Sequence, residues 1–297
     1  MNSYKTARAL EMAIKEAAKA STLDTNRAIA NFYFHRFLCR VFSDSVESFV
    51  LKGGLGMLAR TANARYTRDI DLTTSSLDIE SAIEELKALA KKDLHDFVSF
   101  AYAGCEQIKA EDEYRNGYAI TFDAYLGAKK VQTISIDLVC DQIICETYDI
   151  LAPVDRIDVK GLTICDYRIY PSERAVADKI CGIIEQHDGR PSSRVKDLVD
   201  IVIYASTESF AADTLIASIA REFSARRIPS IQAFNIPPEW EESQERRYAK
   251  TVNGLPLSAI ASTMREAESF CKAFLDPVLS GAIVDGTWQC DDKTWRK

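Results

Sequence analysis

Residues 49–72 read FVLKGGLGMLARTANARYTRDIDL, and this stretch decides the fold of the first half of the chain. The pattern predicts an apolar strand, a glycine pair (Gly53 and Gly54), a short helix and a second strand that contains Asp69 and Asp71. Because side chains alternate along a strand, both aspartates point to one face, where two carboxylates favour a divalent cation such as Mg²⁺. Glycines that lead into a helix let backbone N–H groups approach a phosphate. The stretch therefore predicts a phosphate-binding turn next to a cation site.

A solitary carboxylate lies in a later strand. Residues 130–139 are predicted to form the second strand of a hairpin, and Asp137 is the only charged residue in the run TISIDLVC (133–140). An ionised carboxylate among apolar neighbours is unfavourable unless a cation or strong hydrogen-bond donors offset its burial. Two interpretations stay open: Asp137 is a third metal ligand, or it is a buried carboxylate bonded to backbone groups or to an arginine.

Two helices predicted in the C-terminal half carry charged residues at unusual positions. In the helix that ends near residue 186, Lys179 falls on the apolar face, where a lysine either extends toward solvent or serves a site. The next helix, 194–205, places Asp197 at the border of its apolar face and Asp200 one turn later, further toward solvent. An exposed acidic helix therefore explains Asp200 more easily than Asp197.

The order of the predicted elements indicates an α+β protein. Two N-terminal helices, the strand–turn–helix of 49–72 and a β-rich region come first, and mainly helical patterning follows. We predict a core over 1–168, made of a mixed sheet flanked by helices, and a mainly α-helical domain over 169–297 that completes the active site.

Composition limits the function classes. The chain has 297 residues and a formal net charge of −7, so binding of a nucleic acid would need a local basic patch. Its eight cysteines form no CxxC pair, and with only three histidines a zinc site or a Ser–His–Asp triad is not expected. No apolar run is long enough to span a membrane and no secretory signal is recognisable, which predicts a cytoplasmic protein without a membrane partner.

In combination, these motifs resemble a known family. A glycine pair, two aspartates about fifteen residues later and a solitary aspartate on a later strand are similar to the signature of polymerase-β-like nucleotidyltransferases. The KGG of 52–54 and the RYTRDIDL of 65–72 resemble the first motif of the AbiEii/AbiGii toxin family, which includes the MenT-like toxins. Lys179 and the RVKDLVD of 194–200 resemble its later motifs.

The resemblance implies a bacterial toxin of a toxin–antitoxin or abortive-infection system. Such an enzyme transfers a nucleoside monophosphate from an NTP with the help of Mg²⁺ or Mn²⁺, and a separate antitoxin protein accompanies it. MenT-like members add nucleotides to the 3′ acceptor end of tRNA and so block aminoacylation and translation. A nucleotidyltransferase core and a helical domain are implied as well.

Carried onto this sequence, the resemblance assigns three sets of residues. The catalytic set is Asp69, Asp71, Lys179, Asp197 and Asp200. The nucleotide-binding set is Lys52, Gly53, Gly54, Arg65, Thr67, Arg194 and Lys196. The metal set is Asp69 and Asp71, with Asp137 left open as above.

Two other functions fit the same motifs. One is nucleotidyl transfer, such as AMP transfer, to a protein or small-molecule hydroxyl; the other is a module that binds nucleotide without catalysis. A tRNA acceptor would be held by basic residues of the helical half, whose phosphate contacts make binding sensitive to salt. These residues are Arg190, Arg194, Lys196, Arg226 and Arg227, with Arg246, Arg247 and Lys250 as a further group.

Overall fold

The chain divides into two compact units. The computed structural model describes residues 4–43, 48–61, 64–74, 76, 78–108, 115–141, 147–187, 189–240 and 242–297. Internal contacts assign Met1–Ala62 and Tyr66–Tyr170 to the first unit, and Asn63–Arg65 and Pro171–Lys297 to the second. None of the helices in this described part of the chain is both long and apolar enough to cross a membrane.

The first unit is built on a seven-stranded sheet. In chain order its strands are β1 (Phe49–Lys52), β2 (Asp69–Thr74), β3 (Val98–Gln107), β4 (Arg115–Leu126), β5 (Lys129–Asp141), β6 (Asp149–Leu151) and β7 (Tyr167–Ile169). Across the sheet the order is β3-β4-β5-β2-β1-β7-β6. β2 runs parallel to β5 and β1 runs parallel to β7, whereas the other pairs are antiparallel. The predicted mixed sheet is thus confirmed.

Four helices belong to the same unit. They are α1 (Ala7–Ala20), α2 (Thr25–Phe42), α3 (Gly53–Arg60) and α4 (Ile79–Ala90). α2 is buried along most of its length because aromatic residues line it; the Phe37 ring lies 5.2 Å from the rings of both Phe100 and Phe122. Its buried Arg36 and Arg40 both pair with the single carboxylate of Asp96. This packing holds α2 against the sheet.

The second unit is mainly helical, with short strands. Its helices are α5 (Ser172–Ile184), α6 (Val195–Thr207), α7 (Ala212–Ala225), α8 (Glu242–Val252) and α9 (Met264–Leu279), and a 3-10 turn spans Pro256–Ala259. Its strands are β8 (Gln186–His187), β9 (Arg190–Pro191), β10 (Phe210–Ala211), β11 (Thr287–Gln289) and β12 (Thr294–Arg296). α6 contacts α5, α8 and α9, and its side chains are therefore largely buried.

Near its C-terminus the chain forms a small sheet that the sequence did not predict. β10, β11 and β12 pair in that order, and Trp288 and Trp295 pack against Phe274 of α9. Strands of two or three residues are too short to show an alternating pattern. The aromatic contacts, rather than a strand-like sequence, place these residues.

Candidate active site

Three aspartates lie on one face of the sheet in the first unit. Asp71 of β2 is the register partner of Asp137 of β5, and Asp69 is the partner of Ser135. Paired residues of neighbouring strands share a face, as do residues two apart on one strand. Asp69, Asp71 and Asp137 therefore point to the same side. Burial, followed by the negative charge of Asp69, raises the pKa of Asp137.

The chemistry of these donors fits a hard divalent cation. Mg²⁺ and Mn²⁺ prefer oxygen ligands, and Mg²⁺ keeps several waters, so two or three carboxylates are a sufficient protein contribution. A bound cation would also offset the burial and the repulsion by Asp69 that together raise the pKa of Asp137. Among the described residues, no three His, Cys, Asp or Glu side chains are already gathered in an arrangement that would hold a metal ion.

Gly53 is required both by its backbone conformation and by the space next to Asp71. Its φ is +65°, in the left-handed region that side chains disfavour. Lys52, the residue before it, is the register partner of Asp71 across β1 and β2. A Cβ atom on residue 53 would lie 1.9 Å from Oδ2 of Asp71. Any side chain at this position would thus displace the central carboxylate of the face.

Gly54 permits the Thr67 side chain to lie close to the backbone of the glycine turn. A Cβ atom there would lie 2.9 Å from Cβ of Thr67, which is buried. α3 begins at Gly53, and the Lys52 side chain makes no capping hydrogen bond to it. The positive end of the helix dipole and the N–H groups of the first turn are thus at the glycine turn. The predicted strand, glycine turn and helix are present as expected.

A buried ion cluster in the second unit contains the other predicted residues. Nζ of Lys179, on α5, donates to Oδ1 of Asp197 at 2.9 Å and to Oδ2 of Asp200 at 2.6 Å. Arg65 binds both oxygens of Asp200, at 2.7 and 2.8 Å. Nε of Arg194 lies 3.3 Å from Oδ2 of Asp197. Three cations and two carboxylates leave these five side chains with a net charge of +1.

The expectation that Asp200 lies further toward solvent is wrong. Asp200 is 0% exposed, whereas the side chain of Asp197 is 15% exposed. Burial alone would raise the pKa of Asp200, but Lys179 and Arg65 outweigh it and hold that pKa below its usual range. Two cations supplied by other segments therefore make this interior position favourable for a carboxylate, which a helical pattern alone does not reveal.

The inward position of Lys179 is as predicted, since the residue is only 7% exposed. Burial would lower the pKa of its ammonium, but Asp197 and Asp200 reverse this effect and raise the pKa above its usual value. Lys179 is therefore a permanent cation at neutral pH.

Two of the predicted nucleotide-binding residues lie at the surface. Lys196 is exposed, and the Arg194 side chain is 51% exposed.

Arg226 does not belong to an RNA-binding surface, contrary to the sequence interpretation. Its side chain is 0% exposed and pairs with Asp178, Glu185 and Glu222. Burial would lower the pKa of Arg226, but these acids and Cys181 raise it well above its usual value. The same contacts hold the carboxylates of Asp178, on α5, and Glu185, directly after it.

Sequence reasoning missed the residues that fix the start of α6. Oγ of Ser192 donates to the carbonyl oxygen of Gly182 at 2.5 Å and accepts from the backbone N–H of Arg194 at 3.2 Å. Nε1 of Trp240 donates to the carbonyl oxygen of Ser192 at 2.5 Å. These bonds hold the loop that precedes Arg194. The available signal was a single tryptophan directly before a strongly charged run.

Replacing Asp200 by asparagine is expected to lower the free energy of unfolding by about 3–5 kcal/mol, because Lys179 and Arg65 lose a buried counter-charge. The contribution of a carboxylate with a lowered pKa is complete above its unfolded pKa of about 3.9 and is lost as the pH falls further. The difference between wild type and variant, measured by urea unfolding, should thus be constant at neutral pH and shrink below about pH 4.

The matched control is Asp285→Asn, at an exposed position of the same unit. It should change the free energy of unfolding by less than about 0.5 kcal/mol. Equal stability of the Asp200 and Asp285 variants, or a difference from wild type that persists unchanged in acid, would contradict the assigned ion pairs.

Comparison with known proteins assigns the family. Residues 36–274 match a family model described as nucleotidyl transferase AbiEii toxin, type IV toxin–antitoxin system. The chain belongs to this AbiEii family. It is therefore a nucleotidyltransferase toxin, and the resemblance seen in the motifs is confirmed. Family membership implies an NTP substrate, a divalent metal ion and a cognate antitoxin. A module that binds nucleotide without catalysis does not agree with it.

Two solved structures are similar to this chain at low sequence identity. JHP933 from Helicobacter pylori is 13% identical, with a TM-score of 0.41 over 85% of this chain and 91% of that one. MenT4, a nucleotidyltransferase toxin from Mycobacterium tuberculosis H37Rv, is 12% identical, with a TM-score of 0.49 over 93% of this chain and 99% of that one. A comparison with curated proteins finds no match.

Proposed function

We propose that this AbiEii-family enzyme uses Mg²⁺ to transfer a nucleoside monophosphate from an NTP to the 3′ acceptor end of tRNA, and thereby blocks translation. The observation that supports the chemistry is the setting of Asp71. This residue pairs with Asp137 in the sheet, shares a face with Asp69 and borders the side-chain-free position of Gly53. A phosphate-binding turn next to three carboxylates is what nucleotidyl transfer requires.

The first unit would bind the triphosphate. Asp69, Asp71 and Asp137 would hold Mg²⁺, which when bound neutralises charge on the phosphates. Gly53 and Gly54 carry no side chains, and the N–H groups of the first turn of α3 would bind phosphate oxygens there. Lys52 and the buried Thr67 adjoin this turn. Catalysis by such groups consists of positioning and electrostatic stabilisation rather than covalent chemistry.

The second unit would supply positive charge. Lys179 balances Asp197 and Asp200 from the interior, and each aspartate in turn fixes an arginine: Asp200 holds Arg65, and Asp197 holds Arg194. Lys179, Asp197 and Asp200 would contribute to catalysis by orienting the two guanidinium groups, which with Lys196 would bind phosphate oxygens.

An RNA acceptor is supported by exposed basic residues around the start of α6. In a protein of net charge −7, RNA must be attracted by such a local patch. The patch residues are Arg190, Arg194 and Lys196. Arg246 on α8 is also exposed, but it pairs with Glu242 at i,i+4, which is typical of a solvated helix surface.

The decisive experiment is a transfer assay with each of the four α-labelled NTPs on separate tRNA, protein and metabolite fractions. We expect label on tRNA, and none on tRNA whose terminal ribose has been oxidised with periodate, because that treatment removes the 3′ hydroxyl acceptor. Label on protein would replace the tRNA proposal with AMP-type transfer to a protein hydroxyl. Absence of label from every fraction would contradict nucleotidyl transfer itself.

Lys196→Glu is expected to weaken tRNA binding about three- to tenfold at low salt, since one phosphate contact is lost and replaced by repulsion. The effect should become smaller as salt is added, and the stability of the protein should not change. Lys19→Glu, at an exposed position on α1, is the matched control and should bind like wild type. Filter binding over a salt series measures the tRNA affinity of both variants. Equal losses in the two variants would show that the start of α6 has no special role.

A further inference from the structure

A second cluster of reactive side chains lies in the first unit, away from the carboxylate face. Cys39 on α2 is buried, and Cys165, which precedes β7, is partly exposed. Sγ of Cys165 lies 3.5 Å from the carbonyl oxygen of Cys39 and donates to it. The seven cysteines that the structure describes are all free. Two thiols that are distant in sequence are thus neighbours, and both are reduced.

Both cysteines line a small cavity that is partly open to solvent. Its volume is about 30 Å³, and its walls include the apolar side chains of Phe32, Ile157 and Leu162. A space of this size holds one or two water-sized molecules. It therefore accepts hydrogen peroxide, whereas a tripeptide such as glutathione is too large.

The groups around the pair give the two thiols different properties. Nη1 of Arg36 approaches Sγ of Cys39 at 3.8 Å, while the same guanidinium also binds Asp96. A hydrogen bond from Cys165, together with the charges of Arg36 and His35, lowers the pKa of Cys39 against the opposing effect of burial. Cys39 and burial raise the pKa of Cys165. The guanidinium of Arg36, 3.8 Å from Sγ of Cys39, favours a thiolate at that sulfur, so Cys39 is the better placed of the two to act as the nucleophile.

We propose that Cys39 and Cys165 form a peroxide-reactive thiol pair, in which hydrogen peroxide oxidises Cys39 and Cys165 converts the product to a disulfide. The Cys39 thiolate attacks one peroxide oxygen; the O–O bond breaks, the departing hydroxide takes up a proton as water, and Cys39 becomes a sulfenic acid. The Cys165 sulfur then attacks the Cys39 sulfur. The S–S bond forms, the S–O bond breaks, and the hydroxyl leaves with the Cys165 proton as a second water.

The disulfide would connect α2 to the chain directly before β7. β7 pairs with β1 through Ile169 and Leu51, and β1 leads into the glycine turn. Oxidation would therefore constrain the strands that support the turn.

The test is peptide mapping of the full wild-type chain after graded doses of hydrogen peroxide. Unreacted thiols are alkylated, the protein is digested and the peptides are analysed by mass spectrometry. We expect a Cys39–Cys165 cross-linked peptide, about 2 Da lighter than the two reduced peptides together, before any other cysteine reacts. Cys105 is the internal control, because it is partly exposed and burial raises its pKa. The same concentration of oxidised glutathione should leave Cys39 unmodified.

Two variants separate the roles of the thiols. In Cys165→Ser, oxidation should stop at a sulfenic acid on residue 39 that dimedone traps; in Cys39→Ser, Cys165 should gain no dimedone adduct. Oxidation of Cys105 or Cys290 while the pair stays reduced would overturn the proposal, and this wild-type result does not depend on how the variants fold. Glutathionylation of Cys39 would overturn the argument from the size of the cavity.

Discussion

Asp71→Asn is expected to reduce nucleotidyl transfer at least about 10³-fold and to abolish growth arrest by the expressed toxin. The substitution keeps the size of the side chain and removes the central negative charge of the three-carboxylate face. Loss of an essential metal ligand or of a preorganised charge has effects of this order. The measurement is the initial rate of label transfer at saturating NTP and Mg²⁺, together with colony formation after induction.

Asp123→Asn is the matched control for this experiment. Asp123 lies on β4 of the same sheet, where it pairs with Lys130 near the surface. This variant should transfer nucleotide at the wild-type rate. Full toxicity of Asp71→Asn would contradict the catalytic assignment. An equal loss in both variants would indicate damage to the sheet instead, and thermal unfolding of each protein distinguishes that case.

Gly53→Ala is expected to reduce transfer by at least about 10²-fold and to lower the free energy of unfolding by about 1–3 kcal/mol. Alanine disfavours the φ of +65° at this position, and its Cβ would lie 1.9 Å from Oδ2 of Asp71. The carboxylate and the turn cannot both keep their places. Gly53→Ala adds a single methyl group and leaves the charge unchanged. A lower transfer rate in this variant would therefore report on the geometry of the turn. The transfer rate and urea unfolding are measured in parallel.

Gly56→Ala provides the comparison. Gly56 lies in α3, where a Cβ atom would make ordinary contacts at 3.5 Å with Ile169 and Leu51. Alanine is favoured over glycine inside a helix by up to about 1 kcal/mol, so this variant should be at least as stable as wild type and fully active. If Gly53→Ala behaves like Gly56→Ala, the turn does not need to lie close to Asp71 and the site assignment is wrong.

Much of the first unit was predictable because its signals are local. A glycine pair between an apolar strand and a short helix specifies the turn, and the alternation of Asp69 and Asp71 about Ile70 specifies a shared face. The motif resemblance added the family, which the match over residues 36–274 confirms. Asp200 and Arg226 show the opposite case. Asp200 was expected toward solvent from its helical position, and Arg226 was expected to hold tRNA, but both side chains are buried with counter-ions.

By itself, therefore, the sequence determined the backbone of the glycine turn, the orientation of two carboxylates and the inward face of Lys179. Only the tertiary structure decided that Asp137 pairs with Asp71, that Arg65 and Lys179 share Asp200, and that Cys165 lies next to Cys39. The physical reason is the range of the interactions. Torsional preferences and side-chain alternation act between neighbours in the chain. Strand register and the partner of a buried charge depend on segments that meet only after the chain has folded.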